Sequence, residues 1–181
     1  MGLRDIIKTN TGKQFLPHRA KKIIRTRAFY NFETARSIGI LFDATQTENY
    51  TTTRFLAKYL QENKIKFRGM GYARPYDLEE LVISYTGLSF FTEKEFSLLG
   101  NPNSDPLIDF IDTDFDMLID LHVKPNYYLD AINALSVAQM KLGLKNNDNG
   151  YYDFMIKLND PVNSEAFVEQ LKHYLNIIKS S

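Results

Sequence analysis

The chain has 181 residues, zero formal net charge, no cysteine and no tryptophan, with 44% hydrophobic and 24% charged residues. That length fits one domain, which buries roughly 70% of its unfolded surface and needs no disulfide or metal to hold a core. Without thiols, disulfides, thiolate metal sites and a cysteine nucleophile are excluded, a usage that suits the reducing cytoplasm.

The N-terminal "MGLRDIIKTNTGKQF" lacks the continuous apolar stretch of a secretory signal, and no run approaches the ~18 apolar residues of a membrane span. A soluble, unexported, cytoplasmic protein is expected. Gly2 follows Met1, but Ile6 stands where a myristoylation signal has Ser or Thr. The zero net charge conceals a partition. Residues 1–37 carry nine Lys or Arg against Asp5 and Glu33, a surplus of seven positive charges, so the remainder carries seven negative ones. Such asymmetry marks a contact with nucleic acid, membrane or protein.

In chain order, residues 1–35 read as a basic N-terminal arm and residues 36–181 as a single body. Within "FLPHRAKKIIRTRAFYNF", a helix beginning after Pro17 would gather Ala20, Ile23 and Ile24 on one side, with Arg19, Lys22 and Arg25 largely elsewhere. Basic amphipathic helices bind anionic membrane surfaces or RNA phosphates. Arg19, Lys21, Lys22, Arg25 and Arg27 are therefore the candidate partner-binding residues, for a protein partner first and for membrane or RNA second. The alternative is that Ile23 and Ile24 pack on the body while the cations lie over its own acidic surface.

Beyond the arm, β-branched or aromatic runs alternate with segments of helical period, the pattern of βα units. "SIGILFDA" is apolar with little alternation, as in a strand buried on both faces. "TTTRFLAKYLQEN" is a helix ending near Asn63, with Thr51 to Thr53 as capping candidates. "KIKFRGMGYA" is a second strand, "PYDLEELVIS" a helix with Pro75 in its first turn, and "LSFF" a short strand. "TEKEFSLLGNPNSDP" reads as irregular. "FDMLIDL" is a strong buried strand, "PNYYLDAINALS" a helix started by Pro125, and "AQMKLGL" and "YYDFMIKL" are further strands. "NSEAFVEQLKHYLNIIKSS" closes the chain as an amphipathic helix. These elements predict a three-layer, Rossmann-like α/β domain with a mainly parallel sheet of five or six strands. An edge strand such as "YYDFMIKL" offers a route to a homodimer.

A dinucleotide fold places glycines after its first strand so that the backbone can approach a pyrophosphate. Here the turn is Asp43 to Tyr50, without glycine and flanked by Asp43 and Glu48, which argues against a phosphate there. Thr45 and Thr47 are candidate ligand-binding hydroxyls, set against an ordinary polar turn ahead of a helix. In a parallel sheet Asp43 and Asp120 both end strands at the carboxyl edge, and His122 lies two residues beyond Asp120 on the same side. Asp43, Asp120 and His122 are the candidate catalytic set, as an acid/base pair or oxygen ligands for a hard cation; the bland reading makes them strand-end caps. His18 and His173 stand far apart in the sequence, so no zinc spacing occurs, and no cofactor is expected. No G-x-S-x-G nucleophile elbow is present.

"SIGILFDAT", "FRGMGY", "FDMLIDL", "LSVAQMKLGL", "YYDFMIKL" and "EQLKHYLNII", in that order behind a basic leader, resemble a family of small cytoplasmic proteins of unknown function found in Bacteroidetes. That resemblance implies no catalytic residues. The run "FDMLIDLHVKPNYYLDAINALSVAQMKLGL" is similar to a strand-helix-strand passage in the N-terminal half of heptosyltransferase-like glycosyltransferases, which implies a Rossmann-like sheet. The leading expectation is a non-enzymatic interaction module docking through its basic arm and acidic body. The alternative is a small-molecule binder or enzyme for a nucleotide or sugar, with Asp43 and Asp120 as acid/base or cation ligands, His122 as proton shuttle and Thr45 orienting the substrate.

Overall fold

Apolar strands that repeat with few polar interruptions pair into one sheet, seen in a computed structural model that describes residues 3–75, 77, 85–145, 150–159 and 162–177. The strands are β1 (Ser37–Asp43), β2 (Lys66–Tyr72), β3 (Leu88–Phe91), β4 (Met117–Asp120), β5 (Met140–Leu144) and β6 (Phe154–Ile156). Their order is β3-β2-β1-β4-β5-β6, and every pairing is parallel. This is the doubly wound order, in which successive strands are added outward on one side of β1 and then, from β4, on the other, so the strand order reverses between β1 and β4. The predicted α/β class and sheet are present, with all six strands parallel.

Helices cover both faces. On one, α2 (Thr47–Glu62) and α5 (Ser164–Ile177) bury Leu56, Leu60, Phe167 and Leu171 against Ile38, Ile40 and Ile119. On the other, α3 (Asp105–Asp112) and α4 (Tyr127–Leu135) bury Phe110, Leu129 and Ile132 against Leu41, Met70 and Leu118. Leu16 of α1 (Leu3–Ala20) joins this second core. No helix among the described residues is long and apolar enough to cross a membrane.

Three local expectations change. The arm helix ends at Ala20 instead of starting after Pro17, so Ile23 to Arg36 run without helix. Pro17 is carried within its last turn, where the missing N–H costs only the bond to the Lys13 carbonyl. Thr51 to Thr53 lie inside α2, which starts at Thr47 after Gln46, and the Thr53 hydroxyl donates back to the Asn49 carbonyl at 2.8 Å. The stretch read as irregular holds a 3-10 turn at Glu93–Glu95 with a capping box on Thr92, and its end opens α3. The "PYDLEELVIS" helix falls outside the described residues apart from Pro75 and Asp77.

After α1, the chain runs along the amino edge of the sheet. Ala28 N–H donates to the Gln139 carbonyl at 3.5 Å, the Tyr30 hydroxyl donates to the Gln139 side chain at 2.7 Å, and Arg36 and Ser37 N–H groups donate to Asp116 at 2.6 and 3.0 Å. The basic segment is thus fastened to the body at several points before β1 begins.

Candidate functional site

Where that segment passes β5, it borders an open cavity of about 560 Å³ with Lys21, Arg25, Arg27 and Lys141 in its wall, together with Tyr151 and Tyr152. None of the described residues lining it is acidic. Lys141 is the second residue of β5 and is only 3% exposed. Its Nζ donates to the carbonyls of Asn133 at 2.5 Å and Ala134 at 3.4 Å, in the last turn of α4, where helix carbonyls lack intrahelical partners and attract positive charge. Burial, then the Arg25 charge, pushes its pKa down to about 7, with Asp153 opposing and Arg27 adding to the fall.

Arg25 holds the segment down. Its guanidinium makes a two-pronged contact with Asp153 at 2.6 and 2.7 Å and also donates to the carbonyls of Ala138 and Gln139, both at 3.1 Å. Asp153 further accepts from the Lys141 N–H at 2.9 Å. Burial raises the Asp153 pKa, but the hydrogen bonds and charge of Arg25, the Lys141 N–H and Arg27 outweigh it and hold the carboxyl below its ordinary value. Arg27 is 3.6 Å from the same carboxylate and largely exposed, as is Lys21. With one carboxylate shared between two arginines, the cavity keeps a positive surplus.

Behind Tyr152 lies a buried polar cluster between α4 and the sheet. The Tyr152 hydroxyl donates to Asp120 Oδ2 at 3.0 Å, and Asp120 Oδ1 stands 2.5 Å from His122 Nδ1. His122 Nε2 in turn lies 3.5 Å from Asp130 on α4. Burial works to lower the His122 pKa, yet Asp120, by charge and hydrogen bond, and Asp130 after it, raise it to about 10. The two carboxylates therefore favour the imidazolium form of His122, whose side chain has no exposed surface. Burial first, and the Asp120 charge next, push the Tyr152 hydroxyl well above its ordinary pKa, so it stays a proton donor. Asn133 of α4 completes the cluster, fully buried beside the Tyr152 hydroxyl, on which its side-chain amide acts to lower the pKa.

The structure brings Asp120 and His122 together and leaves Asp43 apart. Asp43 accepts from the Thr45 N–H and hydroxyl at 3.0 and 2.6 Å, an Asx turn, while its own N–H donates to Asn49 at 2.9 Å. Asp43 and Thr47 line a smaller cavity of about 160 Å³ at the carboxyl edge, with Lys124 and Asn163, but Thr45, Asp120 and His122 do not. Of the basic candidates, Lys21, Arg25 and Arg27 line the larger cavity; Lys22 is exposed outside it, and Arg19 donates to the Leu99 carbonyl at 3.2 Å. Lys141, Asp130, Asn133 and Tyr152 were not singled out by sequence reasoning. For Lys141 a signal existed: it is the one charged residue in the strand run "MKLGL", which is otherwise without a polar side chain. Tyr152 carried none.

The model of the family of unknown function DUF6913 matches residues 8–178. No curated protein and no solved structure matches the chain.

Proposed function

We propose, from the premise that the chain belongs to the family of unknown function DUF6913, that it is a small-molecule-binding protein which takes an anion in the cavity between its basic segment and β5. The carrying observation is the lining itself: four basic side chains, two tyrosines and no acidic residue among the described residues around about 560 Å³. A carboxylate or phosphate would find charge-assisted donors in Lys21 and Arg27, whereas Arg25 is already committed to Asp153. The acid/base pair Asp120 and His122 stands off the cavity wall, which supports binding over proton transfer through those two residues.

Thermal unfolding against inorganic phosphate, citrate and adenosine monophosphate, with glucose as neutral control, tests this. Ligand at 100 times its dissociation constant stabilises by about 2.7 kcal/mol, which at this size raises the midpoint by roughly 5 to 11 °C. The shift should vanish in the Lys21→Ala/Arg27→Ala double variant, whose exposed sites leave the fold intact. A flat panel, or a shift that survives in the variant, removes the reading.

A second reading, docking of a protein partner on the same segment, is favoured by Ile24, a residue 94% exposed at the rim of the cavity beside Lys21 and Arg27. Ile24→Asp should then abolish recovery of a partner from lysate without altering the unfolding midpoint. Unchanged recovery counts against it.

A further inference from the structure

We propose that Lys141 is a carbonyl-reactive amine: the cavity admits a small aldehyde or ketone bearing an anionic group, held by Lys21 and Arg27, and its carbonyl carbon condenses with Nζ. The inference rests on the anion-binding reading of this cavity and names the ligand class it takes.

The geometry supplies what such an amine needs. Lys141 is the most enclosed cation of the wall, 3% exposed, and rises from β5, held between β4 and β6, where it is register partner to Leu118 of β4. Its Nζ reaches the carbonyls of Asn133 and Ala134 at 2.5 and 3.4 Å. A neutral amine has two N–H groups and one lone pair; two carbonyls on one side take the N–H groups and leave the lone pair directed away from them, toward the space Lys141 lines. A lysine becomes nucleophilic at neutral pH when desolvated or placed beside another cation, and both conditions hold here through burial and through Arg25 and Arg27. Asp153 is the carboxylate opposing that effect, and Arg25 and Arg27 both draw on it.

The step balances without a co-reactant. The Nζ lone pair forms the C–N bond while the carbonyl π pair moves to oxygen. The two protons originally on the neutral nitrogen pass to that oxygen, which leaves as water, and a C=N bond remains. No oxidant or reductant takes part.

The probe is pyridoxal 5′-phosphate, an aldehyde carrying a phosphate, mixed at less than one equivalent with the full chain, reduced with borohydride and mapped by peptide mass. The expected result is labelling of Lys141 at least tenfold above exposed lysines such as Lys58 and Lys64, slowed by inorganic phosphate. Labelling spread evenly over the lysines, or absent at Lys141, overturns the proposal. A thermal shift with phosphate but no label on Lys141 sinks the imine and leaves anion binding in place. Selective labelling that phosphate does not slow supports the reactive amine and removes the anion reading. Lys141→Met should abolish selective labelling, and if that variant fails to fold, the wild-type peptide map still decides.

Discussion

The Tyr152 ring lies across Gly143 of β5 so closely that any side chain at 143 would overlap it, and from there its hydroxyl reaches Asp120 at 3.0 Å. Gly143 and Lys141 are two residues apart and share one face of β5, so the same ring that covers the glycine also stands in the cavity wall beside the lysine. Gly143→Ala should therefore force the ring outward. The overpacking costs about 1–3 kcal/mol, and loss of the hydrogen bond to the carboxylate about 1.5–3 kcal/mol more. Tyr152→Phe keeps the ring and should show only the second part. Urea unfolding of the two variants checks this, with Gly143→Ala/Tyr152→Ala expected to be less destabilised than the sum of its parts. A Gly143→Ala protein as stable as wild type would mean that Tyr152 is not fixed there.

Gly12 does for α1 what Gly143 does for Tyr152. It faces the Tyr127 ring at a separation that leaves no room for a Cβ, and the Tyr127 hydroxyl donates to the Gly100 carbonyl at 2.7 Å. Between Asp5 and Ala20 of this helix, Gly12 and Leu16 are the buried positions, one turn apart. Gly12→Ala should lift α1 off the body while the sheet stays intact, at a local cost of about 1–3 kcal/mol. Amide hydrogen exchange would show it as roughly tenfold or faster exchange across α1, because about 1.4 kcal/mol of opening energy is one decade, with β1 and β4 amides unchanged. Uniform acceleration through the whole chain would instead make α1 part of the global unfolding unit.

How far the sequence carried the structure follows from the range of the interactions involved. The strands were legible because β1, β4 and β5 are buried on both faces and so carry almost continuous apolar runs. Asp120 and His122 were legible as a pair because two residues along an extended chain return to the same side. Asp43 looked equivalent to Asp120 by position, but the Asx turn onto Thr45 commits its carboxylate locally, a choice made by backbone geometry that residue types do not report. The helix α1 was misplaced because Gly12 and Leu16, the buried positions between Asp5 and Ala20, give almost no apolar period; its docking depends on Tyr127, more than a hundred residues away. The cavity depends likewise on Arg25 meeting Asp153 across 128 residues. Contacts of that separation have no local signature.

Arg25 and Asp153 should behave as a partly buried ion pair, their side chains 9% and 21% exposed. Removing one partner of a fully buried pair costs ~3–5 kcal/mol; with Asp153 about one-fifth open to solvent, Arg25→Ala should cost about 2–3 kcal/mol. Part of that cost comes from the Ala138 carbonyl, which loses its Arg25 donor, and from the Gln139 carbonyl, which keeps only the long bond from the Ala28 N–H at 3.5 Å. A double-mutant cycle with Asp153→Asn should give a coupling above about 1 kcal/mol that persists in 0.5 M salt. The surface pair Lys58 and Glu62, 67% and 62% exposed at 3.9 Å, provides the contrast and should couple only weakly and fade with salt. Equal, salt-sensitive coupling at both pairs would mean the basic segment is not clasped to the body.

His122 and Lys141 should pull the pH dependence of stability in opposite directions. The folded pKa of His122 is raised to about 10 from 6.5, so its contribution is complete below pH 6.5 and is lost as pH rises toward 10. The folded pKa of Lys141 is lowered to about 7 from 10.5, so the unfolded chain holds the extra proton between those values and stability rises with pH there. Each single proton contributes a slope of about 1.4 kcal/mol per pH unit where the two states differ fully. Between pH 7.5 and 8.5, below the range in which unfolded tyrosines ionise, the two nearly cancel in the wild type, and unfolding free energy by urea should be close to flat. Lys141→Met removes the rising component and should leave stability falling with pH across that window. His122→Asn, which keeps a donor toward Asp120, removes the falling component and should leave it rising, from a lower starting value because Asp130 loses its cation. Parallel slopes in the two variants would show that the buried imidazolium and the buried amine do not hold the charge states assigned to them.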